Sequence, residues 1–320
     1  MPQSAAGCSL IPLLTISLYL PLSAPLTPDQ AQAADRIRAW LAQGERTVVL
    51  GGYTGTGKTF TITELLKGYL NRRPLVVTAP THKAVHVLRG MGLPENPPAL
   101  RYATIHSVLG LQPIYDVNTG EQRLRQTGPV DLPRNALLVV DECSMVGREL
   151  YAPILRAAAQ WQAQVLFVGD PAQLPPVKEK ESPTFAQTDN QVTLTTIVRQ
   201  ARDHPLLALV TELRETLDGA PFPRITTRLE AARGFQFKER YANLRPPHAG
   251  TIHRSQGSTY DIAYLDLTDI GRNTKWYEIA KLLYVGLTRP RQAVLATGAL
   301  PERLYGPPAE PDTGTYFFND

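Results

Sequence analysis

The sequence predicts an α/β protein built on a doubly wound parallel sheet, and two observations support this fold class. First, four apolar runs show no alternation of polar and apolar residues, as expected of strands buried on both faces. These runs cover residues 47–50, 75–77, 137–140 and 165–168. Second, helical patterns lie between the runs, at 60–70, 83–89 and 148–161. Strands that alternate with helices are typical of doubly wound α/β domains.

The first element of the folded chain is a helix that begins after a capping signal. Thr27 can cap this helix and Pro28 can occupy its first position, so we expect it to run to about Leu41. The polar stretch 111–134 interrupts the α/β rhythm. It holds a turn signal at 118–120, which predicts a small β-hairpin inserted into the first domain.

The C-terminal part of the chain predicts a second and shorter α/β block. Residues 205–217 place their apolar side chains on one face and predict an amphipathic helix. The clearest strands that follow are 263–265 and 293–295. The tail from Pro301 is rich in proline and glycine and is expected to be unstructured.

The composition indicates a globular protein and leaves the partner open. A chain of 320 residues with 43% hydrophobic residues can form two domains with separate cores. Its net charge of +4 suits a polyanionic partner without establishing one. Cys8 and Cys143 match no metal-binding spacing, which favours a reduced, cytoplasmic protein.

Residues 1–26 predict a leader without regular structure. They include an apolar stretch, but no lysine or arginine precedes it, as a secretory signal would require. Pro12, Pro21 and Pro25 also interrupt the stretch, so a membrane-spanning helix is not expected. A secretory signal remains the alternative interpretation.

One segment matches the phosphate-binding loop pattern G-x-x-x-x-G-K-[ST] and lies between a predicted strand and a predicted helix. It reads GGYTGTGKT, from Gly51 to Thr59. Its glycines would let backbone N–H groups surround phosphate oxygens, a role we assign to Gly52, Thr54, Gly55, Thr56 and Gly57. Lys58 would reach the β- and γ-phosphates of ATP, and the Thr59 hydroxyl would hold Mg²⁺. An ordinary glycine-rich turn is the alternative.

Two further segments follow predicted strands and carry polar side chains suited to the same chemistry. Asp141 and Glu142 end the run 137–140, so both are expected beside the phosphate loop at the carboxyl edge of the sheet. Asp141 would contact the metal, and Glu142 would orient or deprotonate the attacking water. Gln173, in GDPAQLPPV, could sense the γ-phosphate. The alternatives are a solvated acidic loop and a proline-stiffened turn.

Taken in order, eight segments resemble the motifs of superfamily 1B DNA helicases of the Dda/RecD type. They read GGYTGTGKT, VVTAPTHKAV, TIHSVLGL, VVDECSM, VGDPAQLPPV, LTTIVRQ, TIHRSQGSTYD and YVGLTR. The resemblance spans roughly residues 26–298. It implies two RecA-like P-loop NTPase domains, each a parallel sheet flanked by helices, with the hairpin insert acting as a strand-separating pin.

The resemblance also implies roles for residues that local chemistry does not identify. Gln30 would read the adenine edge. Arg199 and Arg289 would neutralise γ-phosphate charge in the transition state, which suits planar guanidinium groups that are always charged. Gln256 and Gly257 would link the nucleotide state to the grip on DNA.

A single-strand DNA track is implied in the same way. Its phosphates would contact hydroxyl groups and backbone amides, and its bases could stack on imidazoles. The residues concerned are Pro80, Thr81, His82, Thr104, His106, His253 and Ser255. Taken alone, a histidine is as often structural, so each of these assignments has a structural alternative.

The second domain departs from the family pattern. Only about fifty residues separate LTTIVRQ from TIHRSQG, too few for the strands and the inserted domain expected there. We therefore predict a first RecA-like domain at 27–200 with the insert at 111–134, a shortened second domain at 201–300, and a tail at 301–320. Pro290, directly after Arg289, is expected to disturb the helix that carries this arginine.

The implied function is a monomeric, ATP- and Mg²⁺-dependent 5′–3′ DNA helicase motor, which would act on single-stranded DNA and forks in replication, recombination or repair. A shortened relative that binds or hydrolyses ATP without unwinding is the first alternative. A P-loop kinase or regulatory NTPase is the second, although it leaves three of the motifs without a role.

Overall fold

The computed structural model describes residues 25–90, 92–93, 99–115, 122–176, 179–198, 205–217, 219–222, 252–256 and 260–305. Residues 1–24 of the predicted leader, the turn signal at 118–120, Arg199, Gly257 and residues 306–320 of the predicted tail lie outside these residues. The described strands are β1 Thr47–Gly52, β2 Leu75–Ala79, β3 Leu100–Thr104, β4 Leu111–Tyr115, β5 Gln122–Gln126, β6 Leu137–Val140, β7 Gln164–Gly169, β8 Gln191–Leu194, β9 Tyr260–Asp266 and β10 Pro290–Thr297.

The described helices are α1 Pro28–Ala42, α2 Lys58–Lys67, α3 His82–Arg89, α4 Ile105–Val108, α5 Arg148–Gln160, α6 Pro183–Ala186, α7 Pro205–Leu217, α8 Ile252–Ser255, α9 Leu267–Gly271 and α10 Trp276–Thr288. Short 3₁₀ turns form at Cys143–Met145 and Glu302–Leu304. The helix predicted at 60–70 begins two residues earlier, because the phosphate loop ends at Gly57.

The main sheet has six strands in the order β3-β2-β6-β7-β1-β8. All neighbouring strands are parallel, so their carboxyl ends meet at one edge. This confirms the predicted α/β class. The loops that follow β1, β2, β6 and β7 therefore lie along the same edge.

Both faces of the main sheet are covered by apolar side chains. Val48 and Leu50 of β1 join one apolar cluster with Ile37 of α1 and Leu65 of α2. Val49, which points to the opposite face, joins a second cluster with α5. Burial on both faces explains why the strand sequences are continuous apolar runs.

The C-terminal block packs around a third apolar cluster. The cluster joins Leu213 of α7, Leu283 of α10 and Leu265 of β9, and it also contains Ala172 and Leu174 from the loop after β7. Strands β9 and β10 pair in parallel and form a separate two-stranded sheet. The C-terminal block thus shares a core with a loop of the main sheet.

Three local features refine the sequence expectations. The insert does contain an antiparallel hairpin, in which β4 pairs with β5 from Leu111↔Gln126 onward. Helix α10 ends at Thr288, and Pro290 opens β10, so the expected disturbance of the helix does not occur. The segment after Pro301 is not wholly unstructured, because Leu304 and Tyr305 pack on the third cluster.

Candidate nucleotide-binding site

The phosphate loop connects β1 to α2 in a conformation that requires glycine. Gly55 and Gly57 have φ angles of +89° and +82°, in the left-handed region. A Cβ atom on Gly52 would lie 2.8 Å from the Thr56 Oγ1 atom. The loop backbone therefore folds closely on itself at the amino end of α2, where it can surround an anion.

Lys58 is held by the loop that it follows. Its ammonium group donates hydrogen bonds to the carbonyl oxygens of Gly52 at 2.6 Å and Tyr53 at 3.2 Å. These two carbonyls keep the side chain folded over the loop. Thr59 occupies the second position of α2, next to Lys58. Both residues lie at the amino end of α2, directly after the phosphate loop.

The acidic pair follows β6, two strands away from β1 in the sheet order. Asp141 is half-buried, and its desolvation raises the pKa of its carboxyl group. The negative charge of Glu142 raises that pKa further, whereas the positive charge of Lys58 opposes the shift. A desolvated carboxylate with a raised pKa is one that a cation would stabilise strongly.

Glu142 has an unusual backbone conformation for a non-glycine residue. Its φ of +53° and ψ of +41° lie in the left-handed helical region, directly before the 3₁₀ turn Cys143–Met145. Such conformations cost free energy and are concentrated at functional sites. This conformation lies at the point where the chain leaves β6.

Arg289 comes from the C-terminal block and reaches the acidic pair. It is the C-cap residue of α10, and its Nη1 atom lies 3.9 Å from Glu142 Oε1. Its Nε and Nη2 atoms are buried and find no hydrogen-bond partner among the described residues. Unpaired buried donors of a cation are costly, so this guanidinium group suits an anionic ligand such as a phosphate.

Gln173 lies in the loop after β7 and is 5% exposed. Its Oε1 atom also lacks a hydrogen-bond partner in the described part of the chain. Gln256, just after α8, donates from Nε2 to the Leu174 carbonyl at 3.1 Å. The structure thus connects Gln256 with the loop that carries Gln173.

Gln30 lies beneath the phosphate loop. Its Nε2 atom donates to the Thr56 carbonyl at 2.9 Å, and its Oε1 atom accepts from the Thr27 amide at 3.1 Å. The second bond belongs to a capping box, since Thr27 Oγ1 accepts from the Gln30 amide in return. In this conformation Gln30 supports the loop backbone; its role in reading adenine stays a prediction.

The residues predicted to contact DNA begin at the carboxyl ends of two neighbouring strands. Ala79 of β2 pairs with Thr104 of β3, which brings Pro80, Thr81 and His82 beside His106. Burial lowers the pKa of His106, while a hydrogen bond with the Pro80 backbone opposes that change. Motifs that are distant in sequence therefore meet at this edge.

The hydroxyl groups of this set already cap helices. Thr81 Oγ1 accepts from the Ala84 amide at the start of α3, and Thr104 Oγ1 accepts from the Ser107 amide at the start of α4. Ser255 Oγ donates to the Ile252 carbonyl at 2.6 Å within α8. His253 lies on the same short helix and is exposed.

One contact joins the first part of this set to the C-terminal block. The ammonium group of Lys83, on α3, lies 4.7 Å from the ring centroid of Tyr260 at the start of β9. A cation over an aromatic face is a favourable contact. Helix α3, which begins at His82, is therefore adjacent to β9, the strand that follows α8.

Sequence reasoning did not identify three polar residues at the site. The Asp29 carboxylate accepts from the amides of Thr195 at 3.0 Å and Thr196 at 2.9 Å, directly after β8. Asp170 and Tyr284 form a buried hydrogen bond between the loop after β7 and α10. Asp170 and Tyr284 lie inside quoted motifs and Asp29 adjoins Gln30, but only the folded chain shows which partners they have.

The fold and the loop geometry define a P-loop nucleotide-binding protein, and comparison with known proteins identifies its family. A family model described as an AAA domain matches residues 25–225, more than half of the chain. The chain belongs to this AAA domain family. None of the helices in the described ranges is long and apolar enough to cross a membrane.

Among proteins similar in sequence are two helicases. The ATP-dependent RecD2 DNA helicase of Deinococcus radiodurans is 36% identical over 57% of this chain. The ATP-dependent DNA helicase dda of Enterobacteria phage T4 is 28% identical over 59% of this chain. These matches cover only 23% and 42% of the relatives' lengths. They confirm the resemblance to superfamily 1B helicases of the Dda/RecD type.

Among solved structures, the Bacteroides Pif1 protein bound to single-stranded DNA has a similar fold. The TM-score is 0.54 at 17% identity, and the superposition covers 89% of this chain and 95% of the other. At this identity the likeness concerns the fold alone. It agrees with RecA-like architecture around a parallel sheet.

Proposed function

We propose that this chain is an ATP-dependent DNA helicase motor that couples ATP hydrolysis to 5′–3′ translocation on single-stranded DNA and to duplex unwinding. The observation that carries the proposal is the meeting of Glu142, from the main sheet, with Arg289, from the C-terminal block. A hydrolytic site assembled from two blocks can respond to their relative position. The helicases similar in sequence support DNA as the partner.

The nucleotide site would work through the chain's own charged groups. Mg²⁺·ATP, when bound, supplies the phosphoanhydride bond that is cleaved. Lys58 and the other loop amides would bind its phosphates, whereas the Thr54 amide, also predicted to do so, donates to the Tyr284 hydroxyl at 3.0 Å. Thr59 and Asp141 would hold the metal. The described residues contain no group of three or more His, Cys, Asp or Glu side chains suited to a metal. The ion would therefore depend on phosphate oxygens and water for its other ligands.

The hydrolytic step would use one base and two positive charges. Glu142 would orient the attacking water and accept its proton. Arg289, whose Nε and Nη2 atoms lack partners among the described residues, would neutralise charge at the γ-phosphate. Arg199 would do the same from the segment after β8. Gln173 would sense the γ-phosphate, and Gln256 with Gly257 would connect that signal to DNA.

Single-stranded DNA would cross the edge at which β2 and β3 end. Pro80, Thr81 and His82 would contact it beside Thr104 and His106, and His253 and Ser255 would continue the track on α8. Backbone amides and hydroxyl groups would bind phosphates without reading sequence. The hairpin β4–β5 would separate the strands of a fork. We further propose the domain division 27–200 and 201–300, a monomer, and a cytoplasmic location.

A second candidate function is ATP binding or hydrolysis without unwinding. The separate C-terminal sheet has two strands in the part of the chain that the structure describes. The chain also matches less than half the length of its helicase relatives. A motor with a reduced second domain could retain the nucleotide site while losing the domain movement that separates DNA strands.

The rate of ATP hydrolysis, measured with and without single-stranded DNA at two salt concentrations, tests the proposal. We expect strong stimulation by DNA that weakens as salt rises, because phosphate contacts are electrostatic. A forked duplex then separates the two candidates, since only the motor would unwind it. Nucleotide binding without any stimulation by DNA would contradict the helicase proposal.

A further inference from the structure

Tyr284 joins three elements through a single hydroxyl group. It lies on α10, is 1% exposed, and its hydroxyl donates to Asp170 Oδ2 at 2.7 Å. The same oxygen accepts the backbone N–H of Thr54 in the phosphate loop at 3.0 Å. The C-terminal block is thus hydrogen-bonded directly to the loop predicted to bind phosphate.

Asp170, which accepts the Tyr284 hydrogen bond, also bonds to the phosphate loop and within its own turn. Its Oδ2 atom also accepts from Thr54 Oγ1 at 3.2 Å, and its Oδ1 atom accepts from the Ala172 amide at 2.9 Å. Its carbonyl accepts from the Gln173 amide at 3.1 Å. The carboxylate therefore fixes the turn that presents Gln173, and Tyr284 links that turn to Thr54.

The surroundings of Tyr284 keep its geometry fixed. Burial raises the pKa of its phenol well above the usual range, so the group stays neutral and donates its proton to the carboxylate. The ring lies in the third apolar cluster with Leu283 and Leu287. Hydrogen bonds enclosed by apolar side chains are strong and directional. They fix the position of α10 relative to the phosphate loop.

The same helix carries Arg289 at its end. Arg289 lies five positions after Tyr284, a distance of about 7–8 Å along the helix axis. Any displacement of α10 at Tyr284 is therefore transmitted to Arg289, whose Nη1 atom lies 3.9 Å from Glu142 Oε1. Small displacements of a catalytic group can cost a large part of the rate.

We infer that Tyr284 is a positioning residue for ATP hydrolysis, which holds α10 against the phosphate loop and Asp170 so that Arg289 reaches the γ-phosphate beside Glu142. This inference rests on the proposed function, because it assigns Tyr284 to the same hydrolytic site. It gives the C-terminal block a second connection to that site besides Arg289 itself.

A double-mutant cycle tests the inference. Tyr284→Phe removes the hydroxyl group and keeps the ring in its cluster, so the fold should persist. We expect kcat to fall about tenfold, while ADP affinity changes less than about twofold. In an Arg289→Ala background, measured in single turnovers, the same change should lower the rate less than about twofold. If the rate loss of the double variant equalled the product of the losses in the two single variants, the two residues would act independently and the inference would be overturned.

The control is Tyr277→Phe. Tyr277 lies on the same helix, but its hydroxyl bonds to the Glu278 side chain at 3.5 Å. We expect this variant to keep the kcat of the wild-type protein. Equal losses in Tyr277→Phe and Tyr284→Phe would show that any disturbance of α10 suffices and would overturn the specific role of Tyr284.

Binding of ADP with aluminium fluoride, which mimics the transferring phosphoryl group, supplies a readout independent of turnover. Tyr284→Phe should weaken this binding about tenfold relative to ADP alone. If the wild-type protein hydrolyses no ATP, the proposed function fails. The ratio of the affinities for ADP with and without aluminium fluoride, compared between the wild-type protein and Tyr284→Phe, still decides the role of Tyr284. An unchanged ratio would overturn it.

Discussion

At the scale of single residues, the candidate site shows charges and conformations that the fold tolerates at a cost. Asp141 is a half-buried carboxyl group whose pKa is raised, Glu142 has a left-handed backbone, and Arg289 keeps buried donors unpaired among the described residues. These features all lie at the edge where the phosphate loop follows β1. A bound cation would stabilise the Asp141 carboxylate, and a bound phosphate would accept from the Arg289 donors.

Two substitutions separate binding from hydrolysis. Lys58→Ala should abolish ATP hydrolysis, because the only phosphate-directed ammonium group of the loop is lost. Arg289→Ala should slow hydrolysis by about 10³-fold or more while ADP affinity changes little, since the guanidinium acts on transition-state charge. Steady-state rates and equilibrium nucleotide binding measure both effects. Normal turnover in either variant would show that the residue is misassigned.

Because the pKa of Asp141 is raised, replacing this residue by neutral asparagine should stabilise the folded protein by an amount that depends on pH. The folded protein binds the Asp141 proton more tightly than the unfolded chain, so this residue lowers stability as the pH rises from the usual aspartate range to the raised pKa. Without nucleotide or Mg²⁺, Asp141→Asn should therefore raise Tm by several degrees at pH 8 and by less at pH 5. A gain of the same size at both pH values would contradict this account.

At the scale of elements, the amino end of α1 connects two separate parts of the main domain. Gln30 donates to the phosphate loop, and Asp29 accepts from the two amides after β8. One turn of helix thereby fixes the loop after β1 and the segment that leads toward Arg199. The capping box of Thr27 and Gln30 fixes that turn in place.

Asp29→Ala should release the segment after β8. Two amides would lose their carboxylate partner, so we expect the free energy of unfolding to fall by about 1–2 kcal/mol and the amides of Thr195 and Thr196 to exchange faster with solvent. The control is Asp35→Ala on the same helix, whose exposed pair with Arg38 should contribute little. Hydrogen exchange that is unchanged at both amides would refute the proposed connection.

At the scale of the whole molecule, the C-terminal block is connected to the main sheet by a shared apolar cluster and by polar contacts. The cluster joins Ala172 and Leu174 to α7 and α10. Arg214 of α7 also lies over the ring of Tyr53, with the guanidinium carbon 4.3 Å from the ring centroid. The block therefore contacts the phosphate loop through both Tyr53 and Thr54.

A shared core predicts cooperative unfolding. We expect a single calorimetric transition for the chain, with the calorimetric and van't Hoff enthalpies in agreement, and a rise in Tm when ADP is added. Leu213→Ala, in the third cluster, should lower the free energy of unfolding by about 2–5 kcal/mol and keep the transition single. Two separate transitions would show that the block folds independently of the main sheet.

The sequence by itself determined the α/β class, the buried strands and the phosphate loop. These features follow from local chemistry: an apolar run without alternation must be buried on both faces, and the conformation at Gly55 and Gly57 requires glycine. The ordered motifs also indicated the helicase resemblance. Asp141, Glu142 and Lys58 were identifiable because each directly follows a strand or begins a helix.

Only the tertiary structure decided which distant residues meet. Tyr284 and Thr54 are 230 positions apart, and Gln256 and Leu174 are 82 apart, so no periodicity connects them. The physical reason is that local sequence fixes backbone conformation and burial, whereas contacts between blocks depend on how complete apolar surfaces pack together.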